Sequence, residues 1–392
     1  MKHLQYLTEK FFSEVILNIY LYENTIAFIG KNRIIVSTFR IPKQNQKEKG
    51  DLMGERKTVL QVKDLQTTFF TDSGEVPAVD HIDFHVKEGE ILGIVGESGC
   101  GKSVTSLSIM GLVPKPPGKI VGGEIRFEDR DLLRMTEKQM RQIRGNEIAM
   151  IFQEPMTSLN PLFTIGNQMT EAIRIHKKNW SKKKAEARAV EMLKLVGLPR
   201  ADELLKEYPH QLSGGMRQRV MIAMALVCDP KVLIADEPTT ALDVTIQAQI
   251  LKLMKELNTR LNTSVLLITH DLGVVAETCE RVIVMYAGQI IEEAPAKQIF
   301  EDPQHPYTKG LIQSVPDMRY KKERLYSIPG NVPKPGSIRH GCRFAARCEF
   351  AFDRCLKENP VLYETSDVHQ TRCFLYDEER VGKHDNKTLI ES

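Results

Sequence analysis

The sequence of 392 residues contains 54 lysine and arginine residues against 51 aspartate and glutamate residues, a formal net charge of +3. This length accommodates one large domain and a smaller one, and the nearly balanced charge argues against a nucleic-acid partner. Seven cysteines without a secretory leader favour a reducing compartment. Since no run of about 18 apolar residues occurs, something other than a span of its own would have to hold this chain at a membrane.

The first 56 residues do not continue into the pattern that follows them. Residues 44–57 are polar and charged, as in a linker, and Met53 lies just before an alternating pattern that begins at Val59. Two interpretations of residues 1–56 stay open. They form a poorly ordered extension, or the start is mis-assigned and translation begins at Met53.

Short apolar runs bounded by turns predict strands along most of the remaining chain. The predicted strands are residues 59–62, 81–86, 91–95, 124–127, 148–152, 232–235, 265–269, 282–285 and 289–292. Helical patterns cover residues 104–110, 165–198, 217–227 and 244–261. Proline and glycine predict a loop at 114–123, followed by an edge strand at 124–127. Strands that alternate with helices predict an α/β fold with a mostly parallel sheet.

A glycine-rich stretch directly after the strand 91–95 fits the phosphate-binding pattern G-x-x-x-x-G-K-[ST]. Its residues are Gly96, Glu97, Ser98, Gly99, Cys100, Gly101, Lys102 and Ser103, and Val104 continues the nucleotide-binding set into the predicted helix. Strand, loop and helix in this order surround an anion with backbone N–H groups and the positive end of a helix dipole. Lys102 supplies charge for the outer phosphates, and Ser103 is placed to hold Mg²⁺. The alternative is a chance glycine turn.

Two further motifs depend on the phosphate loop for their interpretation. Asp236 follows the strand 232–235 and is positioned to meet Mg²⁺ through its water shell, while Glu237 is positioned to polarise an attacking water. Without the phosphate loop, two surface acids after a strand would be the simpler interpretation. Ser213 before a helix is a common N-cap and says little by itself.

Taken in order, these motifs resemble those of the nucleotide-binding subunit of an ABC transporter. The resemblance covers residues 59–293 and rests on six motifs: the phosphate loop, Gln153, residues 212–216, Asp236 with Glu237, residues 241–243, and His270. It implies a P-loop nucleotide-binding domain at 57–300 with an antiparallel β subdomain and an inserted helical subdomain at about 155–220.

The resemblance also implies catalytic and nucleotide-binding roles. Gln153 would reach the metal, together with Ser103 and Asp236, and would sense the membrane partner. His270 would contact the γ-phosphate and help to position Glu237. An aromatic residue would stack on adenine, and Phe70 fits this role, with the adjacent Phe69 as the alternative.

Other residues would act between two subunits. The loop of Ser213, Gly214 and Gly215 would cover ATP held by the phosphate loop of the other subunit, and Asp243 would cross the dimer interface. The chain has Met216 where the family usually has glutamine. We expect a modest effect, because the contacts to phosphate come from Ser213 and the glycine backbone.

The chain changes character after residue 295, where it becomes rich in proline. We expect residues 301–392 to form a small, separate, cysteine-rich appendage with little hydrophobic core. Residues 153–161, 305–308, 328–330 and 341–342 resemble the oligopeptide, dipeptide and nickel permease group. That resemblance implies two membrane permeases, a second related ATPase and an extracellular binding protein as partners, with this chain peripheral at the cytoplasmic face of the membrane.

Four of the seven cysteines lie in this appendage, at Cys342, Cys348, Cys355 and Cys373, with five, six and seventeen residues between them. Four thiolates in a short, core-poor segment suit a metal site. Some members of the permease group carry an iron–sulfur cluster at similar cysteines, so the resemblance implies a [4Fe–4S] cluster. The absence of a tight C-x-x-C pair argues against zinc, and zinc and free thiols stay open as alternatives.

The expected function is therefore ATP-driven import of oligopeptides or dipeptides, in which ATP binding closes a dimer and hydrolysis reopens it. An importer of nickel or another small solute is an alternative, because specificity resides in other chains. A soluble ATP-switched protein acting on DNA or ribosomes is another, although that class normally has two nucleotide-binding cores or a long coiled coil, and the sequence shows neither.

Overall fold

The computed structural model describes residues 28–30, 33–35, 56–72, 74–153, 158–240, 242–315, 326–333, 336–338 and 340–377. The chain divides into two compact units, residues 1–56 and 57–392. In the first unit, β1 (Phe28–Gly30) pairs antiparallel with β2 (Arg33–Ile35). The other residues of 1–55, on which the choice between a poorly ordered extension and a start at Met53 depends, lie outside the described residues.

The strands of the second unit are, in chain order, β3 (Thr58–Thr71), β4 (Gly74–Lys87), β5 (Ile91–Val95), β6 (Gly118–Phe127), β7 (Arg130–Asp131), β8 (Ile148–Ile151), β9 (Val232–Asp236), β10 (Ser264–Ile268), β11 (Arg281–Tyr286), β12 (Gln289–Pro295), β13 (Tyr363–Ser366) and β14 (His369–Thr371). Its helices are α1 (Lys102–Ile109), α2 (Glu137–Ile143), α3 (Ile165–His176), α4 (Lys182–Leu195), α5 (Ala201–Leu204), α6 (Gly214–Leu226), α7 (Val244–Leu261), α8 (Leu272–Thr278), α9 (Ala296–Glu301), α10 (Pro306–Gln313) and α11 (Asp353–Lys357). Short 3₁₀ turns occupy Leu132–Arg134, Pro209–Gln211, Ala345–Arg347 and Phe374–Tyr376. Among these described residues, no helix combines the length and the apolarity that a membrane span requires.

The larger sheet has eight strands in the order β13-β14-β12-β11-β5-β10-β9-β8. Five neighbours, from β11 to β8, run parallel, which confirms the predicted α/β core. These parallel strands are buried on both faces. Successive side chains along a strand point to opposite sides and therefore pack into two different cores. Leu92 and Ile94 belong to the core under the antiparallel sheet, while Ile91 and Val95 belong to the core under the helices.

The smaller sheet is antiparallel, with the order β4-β3-β6-β7. The predicted loop at 114–123 is wrong over its second half, because β6 already begins at Gly118 and pairs with β3. The predicted strand at 124–127 is confirmed as the end of β6, but it is not wholly an edge, since Arg126 and Phe127 pair with β7. Tertiary pairing has here overridden the local preference of glycine for turns.

The helical pattern at 165–198 forms two helices, α3 and α4, rather than one. The break comes before Ser181, whose hydroxyl accepts a hydrogen bond from the backbone N–H of Lys184 (3.3 Å) and so begins α4. Helices α3 to α6 all lie between β8 and β9 in the chain.

The C-terminal segment is not separate from the nucleotide-binding core in the described residues. Its strand β14 pairs with β12 and extends the larger sheet. Tyr307 and Phe344 belong to the same buried cluster as the helix-covered face of that sheet. Backbone pairing and aromatic packing therefore attach the C-terminal segment to the nucleotide-binding core. The prediction of a separate appendage with little core is wrong for these residues.

Candidate active site

The topology brings four loops together at one edge of the parallel sheet. The phosphate loop follows β5, Gln153 follows β8, Glu237 follows β9, and His270 follows β10. These four strands are parallel neighbours, so the loops after them leave the sheet on the same side. Ligands of open parallel sheets bind at this carboxyl edge.

The conformation of the phosphate loop depends on two glycines. Gly96 and Gly101 have φ angles of +151° and +107°, which residues with a side chain rarely adopt. A Cβ atom at Gly96 would collide with the backbone oxygen of Met285, and one at Gly101 would lie 2.5 Å from the backbone oxygen of Ala78. The helix α1 starts immediately after Gly101 without a side-chain cap, so its first N–H groups are available to an anion.

Lys102 is buried within the phosphate loop. Its Nζ donates hydrogen bonds to the backbone oxygens of Gly96 (2.7 Å) and Glu97 (3.0 Å). Ser98 and Gly99 are exposed at the tip of the loop, while Cys100 is fully buried and Val104 is half-buried. The loop therefore combines an accessible backbone with a cation held close behind it.

Ser103 and Asp236 meet as the sequence predicts for a Mg²⁺ site. The Ser103 hydroxyl donates to Oδ1 of Asp236 (3.1 Å), and Ser106 donates to Oδ2 (3.4 Å). Burial raises the pKa of Asp236 above its ordinary value, although both hydroxyls oppose this effect. Hydroxyl and carboxylate oxygens are the ligands that Mg²⁺ prefers, so these residues fit the metal. Sequence reasoning missed Ser106, which the phosphate-binding pattern does not include.

Three side chains converge on the carboxylate of Glu237. Gln153 Nε2 donates to Oε2 (3.1 Å), the Thr240 hydroxyl donates to the same oxygen (2.9 Å), and His270 Nδ1 lies 3.1 Å from Oε1. Gln153 thus contacts Glu237, and its predicted contact with the metal held by Ser103 and Asp236 stays a prediction. The sequence analysis did not identify Thr240. Its position three residues after Glu237 is a local signal, because a threonine hydroxyl at that spacing can hydrogen-bond back to the acid.

Glu237 is held in an unusual backbone conformation. Its φ angle is +47°, and its N–H donates to the backbone oxygen of Ile268 (2.8 Å) on the neighbouring strand β10. Burial by itself would raise the pKa of Glu237, but the hydrogen bonds with His270 and Thr240 outweigh it and lower the pKa. The carboxylate is therefore ionised at neutral pH and able to orient a water molecule or accept its proton.

The residues predicted to act between subunits lie at two neighbouring helix starts. Ser213 caps α6 by accepting a hydrogen bond from the N–H of Met216 (3.3 Å), and Asp243 caps α7 by accepting one from Ile246 (3.0 Å). Both capping residues and Gly214 are exposed. A Cβ atom at Gly215 would lie 3.1 Å from Ile246, which places the two helix starts side by side. They form one surface.

The structure distinguishes between the two aromatic candidates at the end of β3. Phe70 is 46% exposed, whereas Phe69 is partly buried and close to Gly118. An exposed ring offers a free face for stacking. Exposure thus favours Phe70, and its contact with adenine remains a prediction.

The four C-terminal cysteines line one small cavity, together with Phe344, Phe352 and Phe374. Burial raises the pKa of Cys342 to about 11 and that of Cys373 to about 12. Within the described part of the chain, no three histidine, cysteine or acidic side chains are arranged so that they could hold a metal ion. The thiols therefore share a cavity without forming a finished ligand set.

Comparison with known proteins agrees with this geometry. Residues 79–240 match the family model described as ABC transporter, and residues 291–355 match the model described as oligopeptide/dipeptide transporter, C-terminal region. A dimeric structure of the ATP-binding cassette MJ0796 in a post-hydrolysis state, bound to ADP and Pi, is similar with a TM-score of 0.54 and 30% identity. That similarity covers 60% of this chain and 98% of the other. The molecule is an ABC-type ATPase.

Two curated relatives define the family more narrowly. The oligopeptide transport ATP-binding protein AppD of Bacillus subtilis is 58% identical over 322 residues, which cover 82% of this chain and 98% of the relative. The dipeptide transport ATP-binding protein DppD of Escherichia coli is 51% identical over 315 residues, 80% of this chain and 96% of the relative. The chain belongs to the family of ATP-binding proteins of oligopeptide and dipeptide ABC transporters. Membership implies ATP with Mg²⁺, dimerisation and permease partners in the membrane.

Proposed function

We propose that this chain hydrolyses ATP to energise the import of oligopeptides or dipeptides. It would act at the cytoplasmic face of the membrane, bound to two permeases and paired with a second, homologous ATPase, while an extracellular binding protein delivers the substrate. The convergence of Gln153, Thr240 and His270 on Glu237 carries the ATPase part of the proposal. The C-terminal match and the names of the relatives support peptides as the substrate class.

The chemistry follows from what each residue offers to a bound triphosphate. The N-terminus of α1 and Lys102 receive the outer phosphates, and Ser103 with Asp236 holds Mg²⁺, which neutralises charge on those phosphates. Glu237 orients the attacking water, and His270 fixes the carboxylate in place. Phosphoryl transfer depends mainly on such positioning and electrostatic stabilisation.

Completion of the site requires a second subunit. Ser213, Gly214 and Asp243 are exposed and Gly215 beside them is half-buried, so this surface is available to the ATP site of a partner. The dimeric solved structure supports this arrangement. ATP binding would close the pair, and hydrolysis would reopen it.

An open apolar groove supports a permease partner. It is lined by Leu112, Phe152, Leu159, Met221 and Met224. Phe152 is 43% exposed and directly precedes Gln153, so a permease segment seated there would sense the site through Gln153.

A Glu237→Gln substitution tests the proposed reaction. The amide keeps the size of the side chain but is a poor proton acceptor, so we expect ATP binding to persist while turnover falls by about 100-fold or more. Nucleotide binding and phosphate release on the full chain measure the two effects. Cells with this variant in place of the parent should also stop taking up a labelled tripeptide. Glu256→Gln, the same change at an exposed position of α7, is the control. Normal turnover in Glu237→Gln would exclude the assigned role.

We also propose that the cysteine-lined cavity holds an iron–sulfur cluster, toward which the four thiols would turn, since they do not form a ligand set without it. The support is that Cys342, Cys348, Cys355 and Cys373 all line it, and that thiolates are the ligands of such clusters. Full-length protein purified anaerobically should contain about four irons with matching sulfide per chain. The Cys355→Ser variant should lose both, whereas the Cys228→Ser variant, changed at a buried cysteine of the core, should keep them. Zinc in place of iron, or metal-free parent protein, would refute the cluster.

A further inference from the structure

The C-terminal segment reaches into the phosphate loop at Glu97. The Tyr307 hydroxyl accepts a hydrogen bond from the backbone N–H of Glu97 (2.9 Å). Arg347 grips the side chain of the same residue, because Nη1 donates to Oε2 (2.7 Å) and Nη2 donates to Oε1 (3.2 Å). Backbone and side chain of one phosphate-loop residue are thus fixed by a segment about 200 residues or more downstream.

The guanidinium of Arg347 is itself fixed. Its side chain is only 5% exposed. Besides Glu97, it donates from Nε to the backbone oxygen of Pro329 (2.9 Å) and from Nη1 to the hydroxyl of Tyr286 (3.3 Å). A planar, bidentate fork with several satisfied donors specifies one orientation of its carboxylate partner.

A cluster of aromatic rings packs against Tyr307 and Arg347, the two residues that contact Glu97. The centroid of Tyr307 lies 4.6 Å from that of Tyr286 and 5.5 Å from that of Phe344, and Arg347 lies against the same cluster. Tyr286 ends β11, the strand next to β5, so the cluster is anchored to the sheet that carries the phosphate loop. Packing of this kind resists reorientation of its members.

Glu97 adds a negative charge to a loop that binds an anion. An unpaired carboxylate there would repel the phosphates of a nucleotide, and removal of one partner from a shielded ion pair leaves such a charge. We propose that Arg347 and Tyr307 are positioning residues for ATP. Arg347 neutralises Glu97 and turns its carboxylate toward the C-terminal segment, and Tyr307 fixes the backbone of the loop. This inference rests on the proposed nucleotide site at the phosphate loop.

A double substitution separates this role from a merely structural one. Arg347→Gln should raise the Kd of the full chain for a fluorescent Mg–ATP analogue by about tenfold, because it leaves Glu97 unpaired. The double variant Arg347→Gln with Glu97→Gln should regain most of that affinity, since the repelling charge is gone although the ion pair is still absent. Tyr307→Phe, which leaves the ion pair in place, should raise the Kd by about threefold. The turnover number at saturating ATP should change less than the KM in each variant.

Two comparison variants make the outcomes distinguishable. Lys102→Ala should abolish binding of the analogue, and if it does not, the proposed nucleotide site itself is wrong. Arg354→Gln removes another C-terminal arginine, which pairs with Glu358 and Asp377, and should leave the Kd unchanged. Unchanged affinity in Arg347→Gln, no recovery in the double variant, or an equal loss in Arg354→Gln would overturn the inference. If Arg347→Gln does not fold, Tyr307→Phe decides, and an unchanged Kd there overturns it.

Discussion

The carboxyl edge of the parallel sheet and the C-terminal segment are held together in different ways. At the sheet edge, Gln153, Glu237 and His270 each follow their own strand by one or two positions, so short motifs determine the geometry. The C-terminal segment is attached by contacts between residues far apart in sequence, such as Arg347 with Glu97 and His369 with Glu292. Substitutions in the first region should therefore remove chemistry, whereas most substitutions in the second should change attachment and stability.

The largest effect is expected where the phosphate loop touches the antiparallel sheet. Gly101→Val forces a branched residue into a left-handed conformation and a collision with Ala78, so ATP affinity should fall by about 100-fold or more. Gly99→Ala is the matched comparison, because Gly99 is also left-handed but has open space around it, and its loss should stay below about tenfold. Equal losses in the two variants, measured by nucleotide titration, would show that strain and not the collision determines binding.

A smaller effect is expected at the base-binding end of the site. Phe70→Ala should weaken ATP binding by about tenfold, because one stacking partner is worth about 1–3 kcal/mol. Phe69→Ala, at the neighbouring and more buried position, should lower thermal stability and change affinity less. Titration of both variants with ATP tests this, and the reverse order of affinities would assign adenine to Phe69.

The last expected effect leaves ATP affinity unchanged and appears only as a pH dependence of stability in the C-terminal segment. Burial lowers the pKa of His305 from 6.5 to about 4. The unfolded chain therefore binds more protons than the folded chain between these values, so stability falls as the pH falls through this window and is constant above it. At about pH 5 the cost is on the order of 2 kcal/mol relative to neutral pH.

His305→Asn provides the control for that dependence. His305 Nδ1 accepts a hydrogen bond from the N–H of Tyr307 (3.0 Å) at the start of α10, and asparagine is a good replacement at an N-cap. Denaturation of parent and variant at neutral and acidic pH should show a shallower loss in the variant. The same acid sensitivity in both proteins would contradict the assignment of the effect to His305.

The sequence predicts the sheet edge well for a physical reason. The strands 91–95 and 232–235 are short apolar runs followed directly by a glycine and an acid, and such local patterns specify both the strand and the residue that comes after it. The sequence therefore groups Ser103 with Asp236, and their side chains are hydrogen-bonded, while their joint binding of Mg²⁺ stays a prediction. Once these strands are parallel neighbours, the residues at their carboxyl ends lie side by side, so no further long-range contact has to be predicted to bring them together.

The parts that the sequence did not reveal depend on long-range pairing. Strand β6 begins inside a glycine-rich stretch because β3 offers it a partner, and β14 joins the larger sheet through β12. Tyr307 and Arg347, the partners of Glu97, lie in the last third of the chain. Nothing in the sequence around Arg347 indicates that it pairs with Glu97. Likewise, the hydrogen bond from Gln153 to Glu237 is visible only when β8 and β9 are adjacent.

The close approach of Gly101 to Ala78 ties the two ends of the nucleotide pocket to each other. Ala78 lies in β4, and β4 pairs with β3, which carries Phe70 near its end. If Phe70 stacks on adenine as predicted, this backbone contact sets the spacing between the base and the phosphate cradle. Such a pocket would select a nucleotide by the span from its base to its phosphates and would read the identity of the base only weakly, because every base presents a π-face.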